Sequence, residues 1–132
     1  MAQAFKFELV SPERLLVSGD VESVIIPATD GEMTVMGNHA PVMTTVKPGV
    51  VTVKYASGSE ERYVVFGGFA DILPDACTLL AESAVAVKDI DRADLAQRIQ
   101  DAKEDVADAK DDEGRTKAEQ LLAQLATLEG AL

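Results

Sequence analysis

A single cysteine, Cys77, among 132 residues leaves no intrachain disulfide and so excludes a small disulfide-stapled scaffold. Tryptophan is missing and aromatics make up only 5% of the chain, so a core has to be built from Val, Ile, Leu and Ala. There is one histidine, His39. A general base needs a nucleophile and an orienting partner, and a zinc site needs several clustered ligands, so neither catalytic residues nor a metal centre is expected around it. Positive charge is scarce as well. The 12 basic residues face 23 acidic ones, a formal net charge of −11 that repels phosphate backbones and anionic lipid, and nucleic acid and membrane surfaces drop out as partners. No run approaches the roughly 18 apolar residues of a membrane span, and the opening MAQAFKFELV has no apolar h-region, so a cytoplasmic protein without membrane insertion is expected.

What the sequence does have is 47% apolar residues, enough to exclude disorder throughout. Up to Lys88 they follow the period of strands. Phe5, Phe7 and Leu9 alternate with Lys6, Glu8 and Val10 before the turn Ser11-Pro12-Glu13. Leu15 to Val17 reads as a second strand closed by Ser18-Gly19-Asp20, and Val21 to Ile26 as a third that ends at Pro27. Val51, Val53 and Tyr55 form a hairpin with Tyr63 to Phe66 across Ser57-Gly58-Ser59. Gly67-Gly68 inside a strand-like run suggests a bulge or a close approach of two backbones. Phe69 to Leu73, Ala76 to Ala81 and Ala84 to Val87 continue the pattern. The expectation is an antiparallel β-sandwich or flattened barrel of about ten strands over residues 1–88.

Beyond Lys88 there is no proline, and Ala, Asp, Lys, Gln and Leu dominate, a helical composition. Leu95, Ile99, Ala102, Val106 and Ala109 fall on one helical stripe, and Ala118, Leu121, Leu122, Leu125 and Leu128 on another. Asp91 with Asp94 resembles a capping box, and Asp111-Asp112-Glu113-Gly114 interrupts the pattern. Residues 89–132 are therefore predicted to be an antiparallel two-helix hairpin, giving an α+β fold arranged by segments.

Within the first part, Gly31 to Gly49 concentrates His39, Met33, Met36, Met43, Pro41 and Pro48. Turn-makers crowded together with adaptable thioethers are the composition of a contact surface.

Motifs of the same order and spacing carry a family resemblance. They are SPERLLVSGDVESV at Ser11 to Val24, Gly31-Glu32, HAP at His39 to Pro41, KPG at Lys47 to Gly49, GGFA at Gly67 to Ala70, LLAESA at Leu79 to Ala84 and DIDRA at Asp89 to Ala93. Together, over the whole length, they resemble the epsilon subunit of bacterial F-type ATP synthases. The resemblance implies a non-catalytic rotor part, peripheral at the cytoplasmic face of the bacterial inner membrane, that couples c-ring rotation to the gamma subunit and the catalytic hexamer. It implies a c-ring contact at Glu32 and a gamma contact at His39, Ala40, Pro41 and Met43.

In that family the hairpin can be a regulatory element that reaches the catalytic beta subunit, and some members bind ATP there. Asp89, Arg92 and Ala93 match the nucleotide junction and Arg98 adds a cation, whereas residues 119–132 hold no basic group. A polyphosphate needs several donors, so no cofactor is expected, ATP binding at most weak and regulation of hydrolysis feeble. The alternative that composition alone allows is a free-standing β-sandwich binding module with an appended hairpin.

Overall fold

The structure, a computed structural model, describes residues 4–132. The described residues up to Lys88 form one compact unit and Asp89–Leu132 another. The first contains seven strands: β1 (Phe5–Val10), β2 (Leu15–Ala28), β3 (Gly31–Met36), β4 (Val42–Tyr55), β5 (Glu60–Ile72), β6 (Ala76–Ala81) and β7 (Ala84–Ala86). Neighbours run β1-β6-β5-β4-β2-β3, and because β1 also pairs with β2, five strands close on themselves, with β3 attached to β2 and β7 to β5. The expected flattened, closed strand-rich block is present.

Its strand count is lower than the expected ten, because three strands run on through positions read as strand ends, turn-makers or a bulge. Ser18, Gly19 and Asp20 stay extended, opposite Glu8, Phe7 and Lys6 of β1. Pro48-Gly49 sits inside β4, opposite Phe66 and Val65, and Gly67-Gly68 sits inside β5. A neighbouring strand that offers a full ladder holds polar and glycine residues extended against their local preference for turns. One pairing also departs from an all-antiparallel sheet, since β1 and β6 run parallel, with Leu9 opposite Leu79. Pro27 does not end β2; it is buried, and the ladder to β4 slips between Ile25 and Ala28, where proline has no N–H to give.

The core follows the period of two. Phe5, Phe7, Leu9, Val21, Val24, Ile26, Val35, Val51, Val53, Ile72, Cys77 and Leu79 are buried together. Burial pushes the Cys77 thiol up to about 12, so it behaves as a small apolar group. Two glycines are required by close approach, Gly68 to backbone and Gly49 to the ring of Pro27. A Cβ on Gly68, whose φ is +143°, would lie 2.0 Å from the Leu80 carbonyl oxygen, and one on Gly49 would lie 2.6 Å from Pro27 Cβ. Of the two readings of Gly67-Gly68, close approach holds: pairing passes from Val46–Gly68 to Pro48–Phe66 without a slip in register.

In the second unit, α1 (Arg92–Asp108) packs on α2 (Asp112–Ala131). Asp91 caps α1 by accepting from the N–H groups of Ala93 and Asp94. The reciprocal half of a capping box is not made by Asp94, whose carboxylate accepts from Arg98 Nε at 3.2 Å instead. The interruption between the helices is shorter than expected. Asp111 accepts from Gly114 N–H at 2.6 Å, so Asp112, Glu113 and Gly114 already form the first turn of α2. Both stripes are seen, with Leu95, Ala102, Leu125 and Leu128 buried, but Leu121 lies 40% exposed, outside its stripe.

Candidate interaction surfaces

Alternation puts Leu9, Leu79, Ala70 and Ile72 into the core, so their neighbours Val10, Leu80, Phe69 and Asp71 point outward. The register then lines the outward residues up. Phe69 lies opposite Leu80, Leu80 opposite Val10 and Val10 opposite Leu15, forming an apolar row across β5, β6, β1 and β2. Phe69 is 57% exposed, and Leu80 and Leu15 are each 53% exposed. On β4, Thr45 faces Phe69 and Met43, two residues before it on the same face, is 70% exposed. The turn Ser11 to Arg14, closed by N–H donation from each end to the carbonyl of the other, fixes Val10 and Leu15 beside each other. Directly opposed pairs of this kind make a continuous surface on a rigid sheet, and apolar surface that remains open on a folded unit is the mark of a contact site.

Met43, singled out in the sequence by its setting, lies exposed on this face, whereas Leu15, Val10, Leu80 and Phe69 are brought together by strand pairing. A signal for three of them does exist in the sequence. Leu9-Val10, Leu15-Leu16 and Leu79-Leu80 are apolar doublets where strict alternation would put a polar residue.

His39, Ala40 and Pro41 form the loop between β3 and β4. The Nδ1–H of His39 donates to the Ala40 carbonyl at 2.7 Å, and Asn38, at φ 64°, donates its N–H to the Pro74 carbonyl at 2.7 Å. Glu32 stands apart from them, exposed near the start of β3 and opposite Pro27. Glu32 is the second residue of β3, and four further strand residues, Met33 to Met36, separate it from the His39 loop, roughly 13 Å along the strand at about 3.3 Å per residue. β3 ends the strand order, so Glu32, Thr34 and Met36 lie on its outward face while Val35 is buried and Met33 packs on the core.

The residues of the nucleotide junction are not gathered into a pocket by the helix. Asp89 is in the short 3₁₀ turn Val87–Asp89, and Arg92 and Ala93 are exposed in the first turn of α1. With 3.6 residues per turn, Arg92 and Arg98 project about 120° apart. Arg98 is engaged by Asp94, and Lys117 of α2 pairs with Glu113 at 3.6 Å. No group of His, Cys, Asp or Glu able to hold a metal ion occurs among the described residues.

A strand-built block with open apolar surface, joined to a helix hairpin, has the features of an interaction subunit. Residues 4–87 match the family described as the beta-sandwich domain of the ATP synthase delta/epsilon chain, and residues 91–132 match the C-terminal domain of the ATP synthase epsilon chain. The protein belongs to the ATP synthase epsilon chain family, whose members are non-catalytic subunits of the stalk. It is 80% identical to the ATP synthase epsilon chain of Mesorhizobium japonicum over all 132 residues and 98% of that relative. It is 65% identical to the corresponding subunit of a Chelativorans species, with the same coverage. Among solved structures it resembles a subunit in the Euglena gracilis mitochondrial ATP synthase assembly of OSCP, F1 and c-ring, with TM-score 0.77 and 26% identity over 97% of this protein and 81% of that one. A subunit from the Tetrahymena thermophila central stalk and c-ring shares the fold alone, with TM-score 0.63 and 11% identity over 96% of both. No helix among the described residues is long and apolar enough to cross a membrane.

Proposed function

We propose that residues 1–88 are the joint between the rotating c-ring and the gamma subunit, on the cytoplasmic face of the bacterial inner membrane, and that residues 89–132 are a regulatory appendage of little effect. The observation that carries the reading is the outward apolar row of Phe69, Leu80, Val10 and Leu15 with Met43 alongside. A joint that transmits torque needs a stiff body and a well-packed interface, because strain in a soft one dissipates the work. A closed ring of five strands supplies the stiffness and the row supplies the surface. In this reading gamma covers the row together with His39, Ala40, Pro41 and Met43, and the polar loops of the c-ring meet Glu32. Support for two separate partners comes from the position of Glu32 near the start of β3, with Met33 to Met36 running between it and the His39 loop.

Two tests follow for the ring contact and the hairpin. Glu32 is exposed and at an edge, so Glu32→Lys leaves the fold intact while reversing the charge offered to a basic loop. The expected result in reconstituted vesicles is reduced ATP-driven proton pumping with ATPase turnover retained; pumping equal to the parent would remove Glu32 from the contact. For the hairpin, isothermal titration of the full-length protein with MgATP should give no binding at micromolar concentrations. The divergent Arg92 and Arg98 and the engagement of Arg98 by Asp94 leave no convergent set of donors for a polyphosphate. The same shortage of cations on α2 argues against a strong grip on an acidic lip of the catalytic beta subunit. A micromolar dissociation constant would overturn this part.

A further inference from the structure

The turn between β5 and β6 does more than join two strands. Leu73 and Ala76 close it by mutual N–H donation at 2.8 and 3.4 Å, which leaves the carbonyls of Pro74 and Asp75 to accept from elsewhere. Both do so from distant parts of the sequence. The Pro74 carbonyl accepts from Asn38 N–H at 2.7 Å and the Asp75 carbonyl from Lys6 N–H at 3.1 Å. The turn thus fastens the loop 37–41 to the ring at a point next to the start of β4, where Val42 lies opposite Ile72 and Met43 opposite Asp71. Asn38 reaches it with its backbone at φ 64°, the one non-glycine residue with positive φ among those described. Asparagine tolerates that conformation, whereas a β-branched residue resists it.

We infer that Asn38 is a positioning residue for the gamma contact: its left-handed backbone and its hydrogen bond to Pro74 hold His39, Ala40 and Pro41 in one arrangement before the partner arrives. This inference rests on the proposed docking of gamma at that loop. The physical gain is pre-organisation. A loop ordered only on docking loses conformational freedom at that moment, whereas a loop already tethered at Asn38 and braced by His39 on Ala40 has little left to lose. The turn Leu73-Pro74-Asp75 becomes the support under the contact, and Leu73, 43% exposed beside it, its apolar edge.

The test uses the full-length protein and purified gamma. Asn38→Val refuses the left-handed backbone and releases the loop; its affinity for gamma should fall about tenfold, the equivalent of a conformational cost of 1 to 2 kcal/mol. Asn38→Gly keeps the left-handed backbone and the N–H donor, and should bind gamma more tightly than Asn38→Val. Hydrogen exchange on the free parent protein should find the Asn38 amide protected. Equal binding by Asn38→Val and Asn38→Gly, or an Asn38 amide that exchanges as fast as an open loop, would overturn the positioning role. His39→Ala and Met43→Asp separate the two levels of the argument. If both bind gamma like the parent, the docking assignment itself falls and the positioning role with it. If both weaken binding while Asn38→Val does not, only the positioning role falls.

Discussion

Gly68→Ala is expected to be the most destabilising single-methyl substitution in the strand block. The added Cβ would sit 2.0 Å from the Leu80 carbonyl oxygen and 2.9 Å from Ala81 Cα, and both are backbone atoms of the paired strand that cannot swing aside. The position also has φ +143°, a conformation that costs an L-residue of order 1–3 kcal/mol before any contact is counted. Overpacking adds roughly another 1–3 kcal/mol, so a total of about 3 kcal/mol or more is expected. For a domain of this size that is a fall in Tm on the order of ten degrees or more, measurable by calorimetry. Gly49→Ala isolates the steric part, since its Cβ would meet Pro27 Cβ at 2.6 Å without a positive φ, and should cost less. If Gly68→Ala melted within two degrees of the parent, the close approach of β5 to β6 would be wrong.

The largest functional effect is expected from Leu80→Asp. Leu80 is the centre of the outward row, with Phe69 on one side and Val10 on the other, and its side chain is half open to water. An exposed position on a paired strand tolerates aspartate at small cost to folding, so the thermal transition should move little. Burial of that carboxylate against an apolar partner without a counter-charge is a different matter. It should weaken capture by gamma by about 3 kcal/mol, roughly a hundredfold in Kd. Ser57→Asp, in the exposed turn between β4 and β5, adds the same charge away from the row and should bind like the parent. Surface plasmon resonance with immobilised gamma distinguishes them. Equal affinities for the two variants would exclude the row from the joint.

Much of the molecule is legible in its sequence. Phe5, Phe7 and Leu9 alternate into the core as their spacing requires, and Leu95 and Ala102 are buried on the stripe their period draws. These patterns are local, because a side chain's face follows from its position along its own strand or helix. The same holds for Asp91 as the cap of α1, since the hydrogen bonds its side chain accepts come from Ala93 and Asp94, two and three residues on.

Whatever required two distant segments to meet was left to the tertiary structure. Ser18-Gly19-Asp20 is a turn by composition and a strand in the fold, because β1 lies beside it and supplies partners that the local segment cannot. The parallel pairing of β1 with β6, and through it the meeting of Val10 with Leu80, depends on closure of the whole ring. That the Asn38 N–H ends on the Pro74 carbonyl likewise depends on two segments far apart in sequence. Periodicity along the sequence settles which way each side chain points, while register across strands settles which outward residues become neighbours, and a binding face is made by the second.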